Sequence, residues 1–352
     1  MTGTVYAGVA KFMGAPDGLK TSGILRLSSD SGEWVELREG LPENVEVRCI
    51  VVRPDNPEVV YAGTQNGTYR SDDGGDSWRS LGLPGPQLVV WSICLDPRDP
   101  DTLFVGVEGF SIFRTRDGGK SWQELPVPTP AGVPAMPFPT RVIRIVADPA
   151  NPDEIYAGLE VNGVVRSLDG GDNWSDISGS LLALAKHKHL QSGEVTDDPN
   201  EGMMDTHALT ISRAHPGTVI LANRMGLFRS ADKGDNWQEM GIGRFSPLTY
   251  ARDVQASPHD PECLYSALSI AAISDAGSLY RSRDFGKTWQ RFDGDQSIDS
   301  TLMIIAQSPQ NPDRVYCGAR LGQVFGTEDG GDTWRQVPLP AGTAGIYALA
   351  CD

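Results

Sequence analysis

The sequence predicts an all-β fold: a seven-bladed β-propeller of four-stranded blades, closed by a C-terminal strand at 346–352 that joins the N-terminal blade. Three observations predict it. A motif of the form Ser/Thr-x-Asp-x-Gly-x-Ser/Thr/Asn-Trp ends at Trp78, Trp122, Trp174, Trp237, Trp289 and Trp334, and a degenerate copy, one residue short, ends at Trp34. These tryptophans are 44, 44, 52, 63, 52 and 45 residues apart, a period that suits four short strands per unit. A second phrase, a Pro-punctuated turn and then a strand such as Val60-Tyr61-Ala62-Gly63, recurs at 53–63, 96–106, 148–158, 257–267 and 308–318, and more loosely at 212–223.

Each motif sits between short apolar runs, as a tight turn between two strands does. The Asp carboxylate accepts backbone N–H groups inside the turn, helped by the Ser or Thr hydroxyl. The Gly supplies a positive φ, and the Trp offers a large face to bury and one N–H to satisfy. Residues 71–77, with three Asp, loosely resemble a calcium loop. The loop is too short, lacks a distal bidentate Glu and lies in a hairpin, so a structural turn is expected.

The order within a blade reads inner strand, Pro turn, second strand, short loop, third strand, Asp turn, outer strand. The chain starts at a second strand and stops after an inner one, so its two ends complete one blade and leave no lone sheet edge. The expected blades are 346–352 with 1–38, then 46–81, 88–125, 141–177, 205–240, 250–292 and 301–337, in one domain over 1–352.

A formal net charge of −16 argues against a nucleic-acid partner. The five Cys are odd in number and lie mostly in apolar strands, which implies free thiols and a reducing, cytoplasmic setting. The chain opens directly on a strand with no signal peptide in view. The longest apolar stretch, near 181–185, is too short to span a bilayer, so no membrane partner is expected.

The repeated motifs resemble those of the BNR/Asp-box repeat proteins, among them sialidases, xyloglucanases, sortilin-type receptors and photosystem II assembly factors. The boxes cover nearly the whole chain and are specific for the fold, which hosts many activities. Sialidases have six blades and an early Arg-Ile-Pro motif, and neither is found here; seven blades look more like the assembly factors.

In this strand order the Pro turns and Asp boxes share one face of the disc. Loop-length variation falls on the other: 9–22, 126–140, 178–204, 241–249, 269–277 and 293–300. Variable loops on a rigid rim are where function concentrates. Aligning the inner strands gives an apolar row, Ile50, Ile93, Ile145, Leu209, Val254, Ile305 and Leu349, expected to be core between blades. Two residues earlier stand Arg48, Trp91, Ile143, His207, Arg252, Met303 and Tyr347, and two earlier again Glu46, Val89, Arg141, Asp205, Tyr250, Thr301 and Gly345, counted as the same side of each strand. Arg144 and Asp253 lie between these rows. Glu108, Glu160, Arg224 and Arg320 are expected to reach the same face from short loops.

These residues define a candidate site at the loop-face mouth of the channel. Arg48, Arg141, Arg144 and Arg252, with Trp91 and Asp253, would bind a small carboxylate or sugar acid. Glu46, Asp205 or His207 would move protons, and Tyr250 or Tyr347 would act as nucleophile or stacking surface, as the resemblance to sialidases implies for a hydrolase. The bland alternative is internal pairing that pins blades together, for which Glu46–Arg48 and Arg252–Asp253 are candidates. A second functional reading is a non-enzymatic scaffold holding a protein partner on the same face.

The longest insertion, 178–204, is expected to be a solvated lid with a short helix over 181–190. His187 and His189, with Asp205 and His207, suggest a metal site only weakly, since Lys186 and Lys188 flank His187; no metal or cofactor is expected. The proline-rich stretch 126–139 reads as a stiff rim connector.

Overall fold

The computed structural model describes residues 3–28, 31–85, 87–132 and 135–352. Seven antiparallel four-stranded sheets are present. Blade 1 holds the ring closed: the C-terminal strand Ile346–Cys351 pairs with Val5–Val9, from Val5 opposite Cys351 to Val9 opposite Ile346. No helix among the described residues is long and apolar enough to cross a membrane.

Hydrophobic clusters sit between blades, one at each of the seven junctions among the described residues. The predicted apolar row is distributed among them one residue per junction: Ile50 lies between blades 1 and 2, Ile93 between 2 and 3, and so on round to Leu349. Near the axis the blades converge, so the second strands carry small residues there. A Cβ on Gly63 would lie 2.6 Å from Val90 of the next blade, and one on Gly158 2.5 Å from Thr206.

The box turns follow the predicted chemistry. In the box of blade 4, the Ser167 hydroxyl donates to Asp169 Oδ1 (2.8 Å) and accepts from the Gly171 N–H (2.8 Å), while Asp169 accepts from the Asn173 backbone (2.8 Å). Two consecutive residues have positive φ. The first is Gly in most boxes but Lys233 or Phe285 in two; the second is Gly in every described box. The second position is also crowded by the preceding blade: a Cβ on Gly234 would lie 2.3 Å from Ile177, and one on Gly331 2.3 Å from Phe292. Each fully described box binds the Pro turn of its own blade, as in Gly74 N–H to Glu58 C=O (2.8 Å) and Gly118 N–H to Asp101 C=O (2.9 Å), so the two lie on one face as predicted. The degenerate first box includes residues 29 and 30, which lie outside the described residues, as do residues 133 and 134 of the proline-rich connector.

An arginine facing the second strand staples neighbouring blades. Arg26, Arg114 and Arg281 donate to the Gly74, Gly170 and Gly330 carbonyls of the next blade's box, and Arg166 to that of Lys233. Blade 7 has Gly326 at this register, opposite Tyr316, whose hydroxyl turns instead to Glu328 (2.9 Å).

The insertion meets expectation in part. It forms short helices, α1 (Gly179–Leu184) and α2 (Glu201–Met204), with much of the chain between them exposed, but its two ends are core and do not form a solvated lid. Leu181, Ala185, Leu190, Met203 and Met204 are buried in the junction of blades 4 and 5. The apolar start of the segment is core because it fills the wide outer wedge between two blades.

Candidate functional site

Every inner strand carries a β-bulge at the same register. In blade 2, Val47 pairs with Thr64 and Cys49 with Gly63, leaving Arg48 as the extra residue. The extra residues in the other blades are Trp91, Ile143, His207, Arg252, Met303 and Tyr347. A bulge re-aims a side chain that a regular strand would press against its neighbour. All seven line a central cavity of about 360 Å³. The simple alternation assumed between the rows therefore breaks at this position. The row that begins with Glu46, including Arg141, Asp205 and Tyr250, does not line the cavity; it packs on the loop-face side of the ring. The cavity runs the other way, to Pro54, Pro258 and Pro309 on the Pro-turn face, and this corrects the expectation of a pocket confined to the loop-face mouth.

Three of the four predicted arginines are internally paired. Arg48 binds Glu46 (2.8 Å), and Arg141 binds Glu160 (2.7 Å) and Glu108 (3.5 Å). Both guanidiniums stack on Trp91, at 4.7 and 4.5 Å from its ring centre, and Tyr347 meets Trp91 edge-on at 5.8 Å. Arg144 reaches from blade 4 to blade 6 and binds Asp253 (3.0 Å). Asp253 is fully buried and also accepts the Ile305 N–H of blade 7 (3.0 Å), the Val254 N–H (3.0 Å) and Gln255 Nε2 (3.0 Å), so its acceptor capacity is spent on the frame. The Arg252–Asp253 pairing does not form.

Arg252 is different. It makes no hydrogen bond or ion pair among the described residues; burial weighs against its charge, but the carboxylates of Glu160 and Asp205 lie near enough to help hold it. Beside it, the Arg320 side chain has among the described residues only the Met303 sulfur (3.3 Å) and the Phe12 ring (5.5 Å) as partners, and its Nε is buried without one. Burial and the like charge of Arg252 push the Arg320 guanidinium below its ordinary pKa. Two adjacent cations thus share this end of the channel with no carboxylate bonded to either among the described residues.

The predicted proton-moving groups are tied into the wall. His207 Nδ1 lies 2.8 Å from the Ala251 carbonyl, and Nε2 lies 3.2 Å from Asp205 and 3.3 Å from the Tyr250 hydroxyl. Both ring nitrogens are therefore engaged. Burial would raise the Asp205 pKa, but His207 and Arg224 outweigh it and hold the carboxyl well below the usual range. Arg224 also binds Glu201 (2.6 Å), a fully buried acid that gathers the Val195 and Thr196 N–H groups of the insertion. These bonds outweigh its burial and hold Glu201 at about 2. Burial pushes the Tyr250 hydroxyl upward, which keeps its proton on.

Glu108, Glu160, Arg224 and Arg320 all reach this face as predicted. Glu201 and Phe12 were missed, because nothing local distinguishes them from ordinary loop residues. His187 and His189 are exposed, and His189 binds Glu239 on the outer strand of blade 5 (3.0 Å), on a different part of the molecule from the buried His207. No group of three or more His, Cys, Asp or Glu able to hold a metal occurs among the described residues. All five cysteines are free thiols.

Seven sheets, each with its last turn between the third and fourth strands, define a β-propeller, and a family model for the BNR/Asp-box repeat matches residues 280–291. Among individual proteins, the chain is similar to an oligoxyloglucan-reducing end-specific xyloglucanase of Emericella nidulans, 22% identical over 352 residues that cover 85% of this chain and 41% of that protein. The chain spans between 20% and 41% of the curated relatives it matches. Its fold is shared with the GH74 xyloglucanase from Xanthomonas campestris (TM-score 0.64, 17% identity, 84% of this chain and 45% of that one). It is also shared with YCF48 bound to D1 peptide (TM-score 0.53, 16% identity, 84% and 82%).

Proposed function

We propose that this propeller captures a carboxylate-bearing ligand at the loop-face end of its channel, seated on Arg252 and Arg320. The observation that carries the reading is that neither guanidinium has a carboxylate partner among the described residues, whereas Glu46, Glu108, Glu160, Asp205 and Asp253 are all taken by other cations. A bound carboxylate relieves both the unpaired charges and the repulsion between them. Tyr347, Trp91 and the unbonded Nε and Nη1 of Arg48 complete the surroundings.

Capture fits the acids better than turnover does. Glycoside cleavage asks for one carboxyl that carries a proton and a second across the bond. Here Asp205 is held ionised, Glu46 is bound to Arg48, Glu160 is pushed upward by burial but is bound to Arg141, and Tyr250 is held protonated as a poor nucleophile. The free state of all five thiols is in keeping with a reducing compartment such as the cytoplasm. Isothermal titration with butanoate tests the seat. Wild type binds; Arg252→Gln and Arg320→Gln each weaken binding roughly ten- to a hundredfold. A wild-type protein that gives no binding signal removes the reading.

A protein partner on the same face is the second reading, supported by a separate observation. Met13, Ile270, Ile273 and Leu321 are 75%, 59%, 64% and 45% exposed, on loops of blades 1, 6 and 7 that meet beside Arg320. The structure of YCF48 with a peptide shows that a propeller of this shape can hold one. Met13→Ser with Ile273→Ser would then abolish recovery of a stoichiometric partner while leaving butanoate binding intact.

A further inference from the structure

The ring of bulged residues also roofs a chamber. Below Arg252 the cavity wall is mainly apolar, through Val51, Ile93, Ala256, Leu349 and Ala350, with the Gln255 and Gln307 amides toward the Pro turns. The chamber's volume, about 360 Å³, is that of a small-molecule site. The roof is cationic and under-bonded: Arg252 has no hydrogen-bond or ion-pair partner among the described residues, Arg48 Nε and Nη1 are buried without hydrogen bonds, and so is Arg144 Nε. The acids beside the roof, Glu46 and Asp253, are bonded to Arg48 and Arg144, so neither is free to receive a cationic ligand. A desolvated guanidinium above an apolar shaft matches a ligand with one anionic head and an apolar tail. A sugar acid would meet the roof but find for its several hydroxyls only the Gln255 and Gln307 amides, whose N–H groups are already bonded.

We propose that the channel binds a carboxylic acid with a linear apolar tail, its carboxylate against Arg252 and its tail running between Ile93, Ile305 and Leu349 toward the Pro-turn face. This rests on the carboxylate-capture reading of Arg252 and adds the class of ligand. The head supplies orientation, and the tail supplies affinity at about fourfold per buried methylene.

Titration of the full chain with butanoate, decanoate and decanol tests it. Decanoate binds at least a hundredfold more tightly than butanoate, and decanol binds far more weakly than decanoate. Ala256→Phe and Ala350→Phe enlarge partly buried residues of the shaft, and each removes the decanoate advantage while keeping butanoate binding. Arg252→Gln weakens both acids. Circular dichroism confirms that each variant is folded, and the wild-type series decides without them. Equal affinity for the two acids overturns the tail chamber alone. Decanol binding as tightly as decanoate also overturns it, since the head would then be idle. Failure of both acids to bind removes the capture reading and this proposal with it.

Discussion

At the scale of single residues, the chemistry of this channel is decided by which charges lack partners. Arg48, Arg141 and Arg144 are bonded to acids and act within the frame; Arg252 and Arg320 have no such bond among the described residues. Buried and half-exposed pairs should respond very differently to mutation. Arg224→Met strands both Glu201 and Asp205 in the wall, and urea unfolding should report a loss of about 3–5 kcal/mol. Glu46→Gln, at a pair that still meets solvent, should cost no more than about 1 kcal/mol. Near-equal losses would show that the insertion is not held through Arg224. Glu201 also sets a pH window. Its folded pKa, about 2, lies below the unfolded glutamate value of about 4.3, so its contribution is complete above that value and is lost as pH falls toward 2.

At the scale of the element, the box turn is a small hydrogen-bonded device repeated around the disc. Asp73, Asp117, Asp169 and Asp329 are each held at about 2, chiefly by the Ser, Thr or Asn side chain and backbone N–H four residues on. Their folded pKa values lie below the model-peptide aspartate value, so the stabilisation is present above about 3.9 and fades between there and 2. Near-UV circular dichroism should show one steep acid transition in that window, and a protein still native at pH 2 would contradict it. The two positive-φ positions of the turn should also behave differently. Gly331→Ala meets both φ +102° and the Phe292 ring, and should cost about 1–3 kcal/mol in thermal or urea unfolding. Gly170→Asn, at the other position, should cost no more than about 1 kcal/mol, because φ there is +70° and Lys233 and Phe285 occupy the equivalent position in two boxes.

At the scale of the molecule, stability is shared among junctions rather than gathered in one core. The C-terminal strand contributes to two of them, through Leu349 and Cys351 toward blade 7 and Ala348 toward blade 2. Deleting residues 346–352 should therefore expose the edge of Val5–Val9 and both clusters at once. Size-exclusion chromatography should find aggregate or an expanded chain; a native monomer with an intact melting transition would show that closure is dispensable. The same logic makes deletion of residues 178–204 a folding mutation, since it empties the junction of blades 4 and 5.

Blade number, strand order, the shared face of Pro turns and boxes, and closure by the last strand were all legible in the amino-acid order. Each rests on short-range turn chemistry repeated at a steady period, and such chemistry is written within eight or ten residues of itself. The Glu46–Arg48 pair was legible for the same reason. The bulges were not, because counting by twos assumes an unbroken pleat, and a one-residue slip in seven strands leaves no local mark. Nor was the freedom of Arg252. Asp253, its neighbour in sequence, is claimed by Arg144 from two blades away, so which guanidinium stays unpaired depends on distances across the axis that only the closed ring sets.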